Sequence, residues 1–372
     1  MKVAIMCNTK SSEYPNRPEL IEDFLNIGDE VYFAAIDDGT INSYYSEGKA
    51  KLLPVLASRN NTNPFVELKS LFDVRRRVKE YGIESVVIYG IKNHPAMAIG
   101  SWIGGTKNIV CVVNGRGNLF TVKGLRGIIL RTITFPMLKL AYMCSDTVCF
   151  QNEDDGIFFI NKHLVKSDKV SYTDGSGVNT KLFPACDMPN KDEFLYLARI
   201  TPSKGLKEYI EAAQIVKNKY PNTIFHVVGP VDDVIEGSSN SILDKAISDG
   251  VVLYHGETNN VKGWLQKTRY FVYPSYYPEG VPRCVLQALS CGRPIITCNS
   301  PGCKKTVIDQ ENGFLVEPRN SLEVANRMIR FIQDRKSAER MGKKSRWLAE
   351  KVFDVKIINK KIISLVHKEG MN

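Results

Sequence analysis

The chain reads as an α/β protein built from two Rossmann-like domains, and three observations lead there. Short apolar runs alternate with helical patterns, the alternation restarts near residue 193, and 372 residues exceed the roughly 250 to 300 that one core organises. In the first half, strands are expected at 3–6, 30–35, 85–89, 108–113 and 147–151, with helices at 18–27, 63–81 and 95–103 between them. In the second half, strands are expected at 193–198, 223–229, 251–254, 270–273 and 295–297, with helices at 206–219, 241–248, 260–267 and 283–291. Because strand and helix take turns, both sheets should be largely parallel. The stretch 184–192, with two prolines and mixed charge, reads as the linker. This gives a first domain at 1–184, a second at 193–345, and charged helices at 346–372 that pack back toward the first.

Composition narrows the class. With 43% hydrophobic and 24% charged residues the chain is an ordinary globular sequence, and it has no run of about 18 uncharged apolar residues that would span a bilayer. Met1 to Cys7 passes from one basic residue into a strand-like run without a signal-peptide core, so a cytoplasmic location is expected. Nine cysteines without a C-x-x-C pair read as reduced thiols, neither a disulfide framework nor a zinc site. A formal charge of +10 calls for an acidic partner. The basic residues are dispersed and no nucleic-acid-binding motif is present, which leaves phosphate-bearing small molecules and anionic lipid.

The segment 276–296 is the most informative. Glu279 ends a loop, Gly280 lets backbone approach a ligand, and Pro282 is expected at the first helical position. The free N–H groups of such a helix start suit an anion. Arg199 and Lys204 lie at the carboxyl end of the first strand of the second half, just before a helix, which is where open α/β sheets bind ligands. Two cations there suit a diphosphate, both bound and leaving.

These residues resemble the donor-site signature of the retaining glycosyltransferase family four. Tyr273-Pro-Ser275, Glu279, Gly292-Arg-Pro-Ile-Ile296, Pro301-Gly-Cys303 and 312–318 follow one another in the family's order. The resemblance implies the GT-B fold: two Rossmann-like domains facing a cleft, with C-terminal helices crossing back to the first. It implies a nucleotide-diphosphate sugar donor, UDP-linked, gripped by Glu279, by Gly280, Val281 and Pro282, and by a second carboxylate separated from Glu279 by seven residues. That second position is Gln287 here, which keeps an acceptor oxygen but loses the charge. Pro278 also stands where relatives often carry Arg. Arg199 and Lys204 match the family's cation pair and would stabilise the leaving diphosphate.

In the first half, Asn16-Arg17, Gly90-Ile-Lys92-Asn-His94 and Asn114-Gly-Arg-Gly117 resemble the subgroup that extends lipid-linked saccharides. Arg17, Lys92, His94 and Asn114 are therefore the acceptor-side candidates. His94 invites a reading as catalytic base, but it precedes Pro95 and reads better as a helix-capping or plain polar residue, so it is given no catalytic role. The segment 122–141 mixes bulky apolar residues with four cations and suits a membrane surface, although Pro136 interrupts its helical period. No D-x-D triplet or H-E-x-x-H occurs, so neither a metal nor a resident cofactor is expected. The reading is a metal-independent retaining hexosyl or N-acetylhexosaminyl transferase. It moves a sugar from a UDP-linked donor to a polyprenyl-diphosphate-linked saccharide at the cytoplasmic membrane face. The alternatives are a non-catalytic sugar-nucleotide-binding subunit, suggested by Gln287 and Pro278, and an epimerase of the same fold.

Overall fold

The computed structural model describes residues 1–56, 64–117, 120, 122, 124–231 and 238–368. Residues 63 and 123, placed by the sequence in a helix and in the basic apolar segment, lie outside the described residues. The chain forms two compact units, Met1–Thr173 with Lys356–Asn372, and Asp174–Val355.

The first unit runs β1 (Lys2–Lys10), α1 (Pro18–Asn26), β2 (Glu30–Ile36), α2 (Ser43–Ser46), β3 (Lys51–Val55) and α3 (Pro64–Tyr81). It continues through β4 (Ser85–Tyr89), α4 (His94–Ile103), β5 (Asn108–Val113), α5 (Gly124–Cys144), β6 (Thr147–Phe150), α6 (Glu153–Asn161) and β7 (Val170–Tyr172). Its seven strands lie in the order β3-β2-β1-β4-β5-β6-β7, all parallel. β4, β5 and β6 are buried along their whole length, as a parallel sheet covered on both faces requires. Leu20, Ile21 and Phe24 of α1 cover one face, and Val74 and Val78 of α3 with Met97, Leu138 and Phe159 cover the other.

The second unit runs β8 (Glu193–Leu197), α7 (Leu206–Lys219), β9 (Ile224–Val228), α8 (Ser238–Ser248), β10 (Leu253–Tyr254), α9 (Val261–Lys267) and β11 (Tyr270–Tyr273). After these come α10 (Arg283–Ser290), β12 (Ile295–Cys298), α11 (Pro301–Lys304), β13 (Gly313–Val316), α12 (Ser321–Gln333) and α13 (Arg335–Lys351). Its parallel strands lie in the order β10-β9-β8-β11-β12-β13. Each sheet therefore reverses its strand order once, between β1 and β4 and between β8 and β11. Such a reversal leaves a crevice at the carboxyl ends of the two strands.

Two boundaries differ from the sequence reading. The stretch 184–192 is bound into the second unit: the buried Arg293 guanidinium donates to the Asp187 carbonyl at 3.0 Å, and Arg269 donates to the Pro189 carbonyl at 2.6 Å. Proline and charge suggested a free linker, but two buried arginines elsewhere in sequence hold its carbonyls. α13 also stays with the second unit, burying Ala338, Met341, Leu348 and Ala349 there. Only α14 (Val355–His367) rejoins the first unit. Its Ile362, Leu365 and Val366 enter the core beside α1, and Asn108 donates to the carbonyls of Leu365 and Val366 at 2.8 and 2.7 Å.

α5 is the helix the sequence left open. It continues through Pro136 and buries Gly127, Leu138, Ala141 and Tyr142, while Leu125, Ile128, Ile129, Ile133, Leu140 and Met143 face outward. By length and composition alone it could cross a membrane.

Candidate functional site

The crevice between β8 and β11 holds the sequence-predicted donor residues of the second unit. β8 ends at Leu197, and a short 3₁₀ turn, Pro202–Lys204, precedes α7. Gly205 closes the turn with φ +78°, and a Cβ there would meet the Pro274 carbonyl oxygen at 2.1 Å, so the loop after β8 lies directly on the loop after β11. Hydrogen bonds fasten the two together. The Tyr276 N–H donates to the Ser203 carbonyl at 3.0 Å and the Tyr276 hydroxyl to the Pro202 carbonyl at 2.8 Å. From the other side the Thr297 hydroxyl donates to the Tyr273 carbonyl at 2.7 Å, and the Ser300 hydroxyl to the Ser275 carbonyl at 2.9 Å.

This frame brings Lys204 and Glu279 into contact. The Lys204 ammonium donates to Glu279 Oε2 at 2.7 Å and to the Tyr273 hydroxyl at 2.8 Å. The Tyr273 hydroxyl donates to Glu279 Oε1 at 2.7 Å, and the Ser275 hydroxyl reaches the same oxygen at 3.2 Å. The ammonium also lies 4.8 Å from the centre of the Tyr277 ring, a cation–π contact. Lys204 and Glu279 keep 17% and 18% of their side-chain surface, so the pair is sheltered yet open to a ligand. Burial raises the Tyr273 phenol well above its usual range, with Glu279 adding to the effect. Tyr273 therefore acts as a proton-holding bridge between the two charges.

Glycines set how close the backbones come. Gly302, in the predicted Pro-Gly-Cys segment, lies so near the Glu279–Gly280 peptide that a Cβ would stand 1.3 Å from the Gly280 carbonyl oxygen. Gly175, with φ +79°, packs on Val281 in the same way, its Cβ position 2.7 Å from the Val281 Cβ. Gly280 itself is buried, so its role is to be packed against. Pro282 is the N-cap of α10, with ψ 123°, and the helix starts at Arg283. Pro282 is thus one position outside the expected first helical residue, because its extended ψ turns the chain into the helix.

Arg199 follows β8 on the surface and acts electrostatically on Tyr277, which places it beside the Lys204 cluster. Gln287 lies five residues into α10, half-buried, on the face it shares with Arg283 and Cys284. The partners of Glu279 are Lys204, Tyr273 and Ser275, and Gln287 is not among them. Sequence reading missed Tyr273, Ser275 and Tyr277 as site residues. Tyr273-Pro-Ser was visible as a motif, but only the structure shows that its phenol and hydroxyl converge on Glu279.

In the first unit, the Arg17 guanidinium lies 4.5 Å over the Tyr89 ring at the end of β4. Lys92 follows the same strand and is half-buried near Glu67. Asn114 follows β5 and accepts from the Gln151 amide at 3.0 Å. These three lie at carboxyl ends of the sheet. His94 does not face outward: it is fully buried, and its Nδ1 is 3.1 Å from the Tyr142 hydroxyl. Its place is structural, joining α4 to α5, since a side chain without exposed surface cannot meet an acceptor.

Residues 186–347 match the family model described as glycosyl transferases group 1. The fold and this match support a GT-B glycosyltransferase. The chain resembles those that act on lipid-linked sugars. It is 25% identical, over 90% of both chains, to N,N'-diacetylbacillosaminyl-diphospho-undecaprenol alpha-1,3-N-acetylgalactosaminyltransferase of Campylobacter jejuni. It is 24% identical, over 80% of this chain and 79% of the other, to UDP-Gal:alpha-D-GlcNAc-diphosphoundecaprenol alpha-1,3-galactosyltransferase of Escherichia coli. Among solved structures, HepE of Anabaena in complex with UDP aligns with a TM-score of 0.77 at 17% identity, covering 99% of this chain and all of that one.

Proposed function

We propose that this glycosyltransferase moves a sugar from a UDP-linked donor to a polyprenyl-diphosphate-linked saccharide, with retention at the anomeric carbon and without a divalent metal. The observation that carries the reading is the Lys204–Tyr273–Glu279 cluster at the β8/β11 crevice. A diphosphate entering there competes with Glu279 for the Lys204 ammonium, and the released carboxylate is then free to take hydroxyls of the donor sugar. Arg199 and Lys204 stabilise the charge that builds on the leaving diphosphate. The bond from the anomeric carbon to the diphosphate oxygen breaks, and a bond to the acceptor hydroxyl forms on the same face. The acceptor proton passes to the leaving phosphate oxygen, so no protein base is needed. Donor class and acceptor class follow the names of the Escherichia coli and Campylobacter relatives. The outward apolar face of α5, with Arg126, Arg131 and Lys139 on the same helix, supports attachment at the inner membrane surface, where each cation contributes about 1 kcal/mol.

Mass spectrometry of reactions with a panel of UDP-sugars and polyprenyl-diphosphate-linked saccharides tests the reading. The expected product is the lipid-linked saccharide heavier by one sugar residue, formed in EDTA as well as in Mg²⁺. Sugar release or epimerisation without any lengthened lipid, or activity abolished by EDTA and restored by Mg²⁺, would refute the corresponding part.

A further inference from the structure

Of the nine cysteines, Cys144, Cys186 and Cys284 keep part of their surface in solvent. Cys186 differs from the other two in its neighbours. The Arg293 guanidinium, which has no exposed surface, donates to the Cys186 sulfur at 2.9 Å. Its other partners are the carbonyls of Cys186, Asp187, Cys291 and Thr268, with no carboxylate among them. A guanidinium stays protonated, and a buried charge is costly without an opposite one beside it. A sulfur is the group placed to supply that charge. The Cys186 sulfur also lies 3.4 Å from the Cys291 carbonyl oxygen, and the two thiols hydrogen-bond side chain to side chain. Cys291 is buried in the core of the second unit, and Cys186 packs on that core from outside. The hydrogen bond from Cys291 and the Arg293 charge hold the Cys186 thiol down to about 6, against burial and the nearby Asp187, whereas Cys291 is pushed up and keeps its proton. Burial raises the thiols of Cys144 and Cys284. A half-exposed sulfur beside a fixed cation, with a second thiol in contact, is the setting of a reactive cysteine and its resolving partner. The pair lies outside the transfer chemistry, because Cys291 caps the C-terminal end of α10 and Glu279 precedes the start of that helix.

We propose that Cys186 and Cys291 form a modification site, a thiol pair that a hydroperoxide oxidises to a disulfide and a dithiol restores. The Cys186 thiolate attacks one peroxide oxygen: the S–O bond forms, the O–O bond breaks, and the departing hydroxide takes a proton from solvent and leaves as water. The sulfenic acid so formed lies against Cys291. Its sulfur is then attacked by the Cys291 sulfur, so that the S–S bond forms, the S–O bond breaks, and the hydroxyl leaves as water with the Cys291 proton. Both sulfurs are oxidised, and the peroxide is reduced to water. A dithiol reverses the change by thiol–disulfide exchange and is itself oxidised. The site is independent of the donor and acceptor assigned above.

The test uses the reduced full chain. An equimolar dose of hydrogen peroxide at neutral pH, followed by alkylation in denaturant and peptide mass spectrometry, should give a Cys186–Cys291 cross-link that dithiothreitol reverses, with the other cysteines alkylated. Limiting iodoacetamide on the native protein should modify Cys186 at least about tenfold faster than Cys144 or Cys284. Both measurements are made on the wild type, so they stand even if a variant misfolds. In Cys291→Ser the oxidation should stop at a sulfenic acid that dimedone labels on Cys186, and in Cys186→Ser dimedone should label neither position. Oxidation that begins at Cys144 or Cys284 would overturn the proposal. So would alkylation of Cys186 no faster than theirs, or a wild-type Cys186 sulfenic acid that never passes to Cys291.

Discussion

The two sheets reverse their strand order at equivalent places, yet the crevices are built differently. At β8/β11 the loops are bound by backbone and hydroxyl hydrogen bonds and by glycine contacts that admit no Cβ, and a paired Lys204 and Glu279 sit at the centre. At β1/β4 the Arg17 guanidinium rests on the Tyr89 ring, and an apolar cavity follows β4 and β5, lined by Lys92, Arg116 and Arg126, with Arg116 paired to the buried Asp155. The difference suits the donor and the acceptor of the proposed function. A nucleotide diphosphate sugar is small and charged, and a rigid, preorganised set of polar groups binds it with little reorganisation. A lipid-linked acceptor is long and mostly apolar, so its site needs area and a few cations more than exact polar geometry.

The largest expected effect tests that contrast directly. Lys204→Ala should lower kcat/KM by a factor corresponding to about 2.7–4 kcal/mol, the scale of one preorganised charge contact in the transition state. Arg17→Ala should cost no more than about 1 kcal/mol, the worth of an exposed cation–π contact. Steady-state kinetics of both variants decide it, and equal losses would break the comparison.

Acid should separate the two units next. Burial holds the His94 imidazole at about 4, below its ordinary 6.5, against the raising effect of the Ile88 and Val112 carbonyls. The folded-state value is depressed, so between about pH 6.5 and 4 the unfolded chain binds the extra proton. Stability from this group is full above 6.5 and falls as pH drops toward 4, by a total on the order of 3 kcal/mol. His226 in the second unit is also lowered by burial, but Glu193 opposes this at 3.4 Å. Hydrogen exchange at pH 7 and pH 5 should therefore show the first unit losing more protection. His94→Asn should flatten its pH dependence, and equal losses in both units would contradict this account.

Two glycines sharpen the comparison further. Gly302→Ala forces a Cβ onto the Gly280 carbonyl, while Gly100→Ala places one 2.6 Å from the Leu71 carbonyl between α3 and α4. Each should destabilise its own unit by about 1–3 kcal/mol, the usual scale of overpacking. Only Gly302→Ala should also weaken UDP, because only it moves the Glu279 loop. Thermal melts with calorimetric titration of UDP check both halves.

The smallest effect concerns Gln287. If its amide oxygen accepts a ribose hydroxyl, Gln287→Leu should weaken UDP roughly three- to tenfold, corresponding to about 0.5–1.5 kcal/mol. Gln287→Glu should bind as well as the wild type or better. Identical affinities by titration calorimetry would show that this face of α10 does not meet the nucleotide.

The sequence by itself determined the parallel α/β class, the restart at residue 193, and the motif order that points to Arg199, Lys204 and Glu279 as one candidate cluster. Those features are written locally, in apolar runs, in turn residues and in a spaced motif. Tertiary structure alone decided that Tyr273 and Ser275 close on Glu279, that His94 is sealed beneath α5, and that 184–192 is gripped by Arg269 and Arg293. It also decided that Lys92, Arg116 and Arg126, scattered in sequence, line one apolar cavity. Periodicity tells which face of an element is buried, but which distant side chains then share a space depends on strand order and on how closely backbones approach. Both are settled only when the sheets assemble.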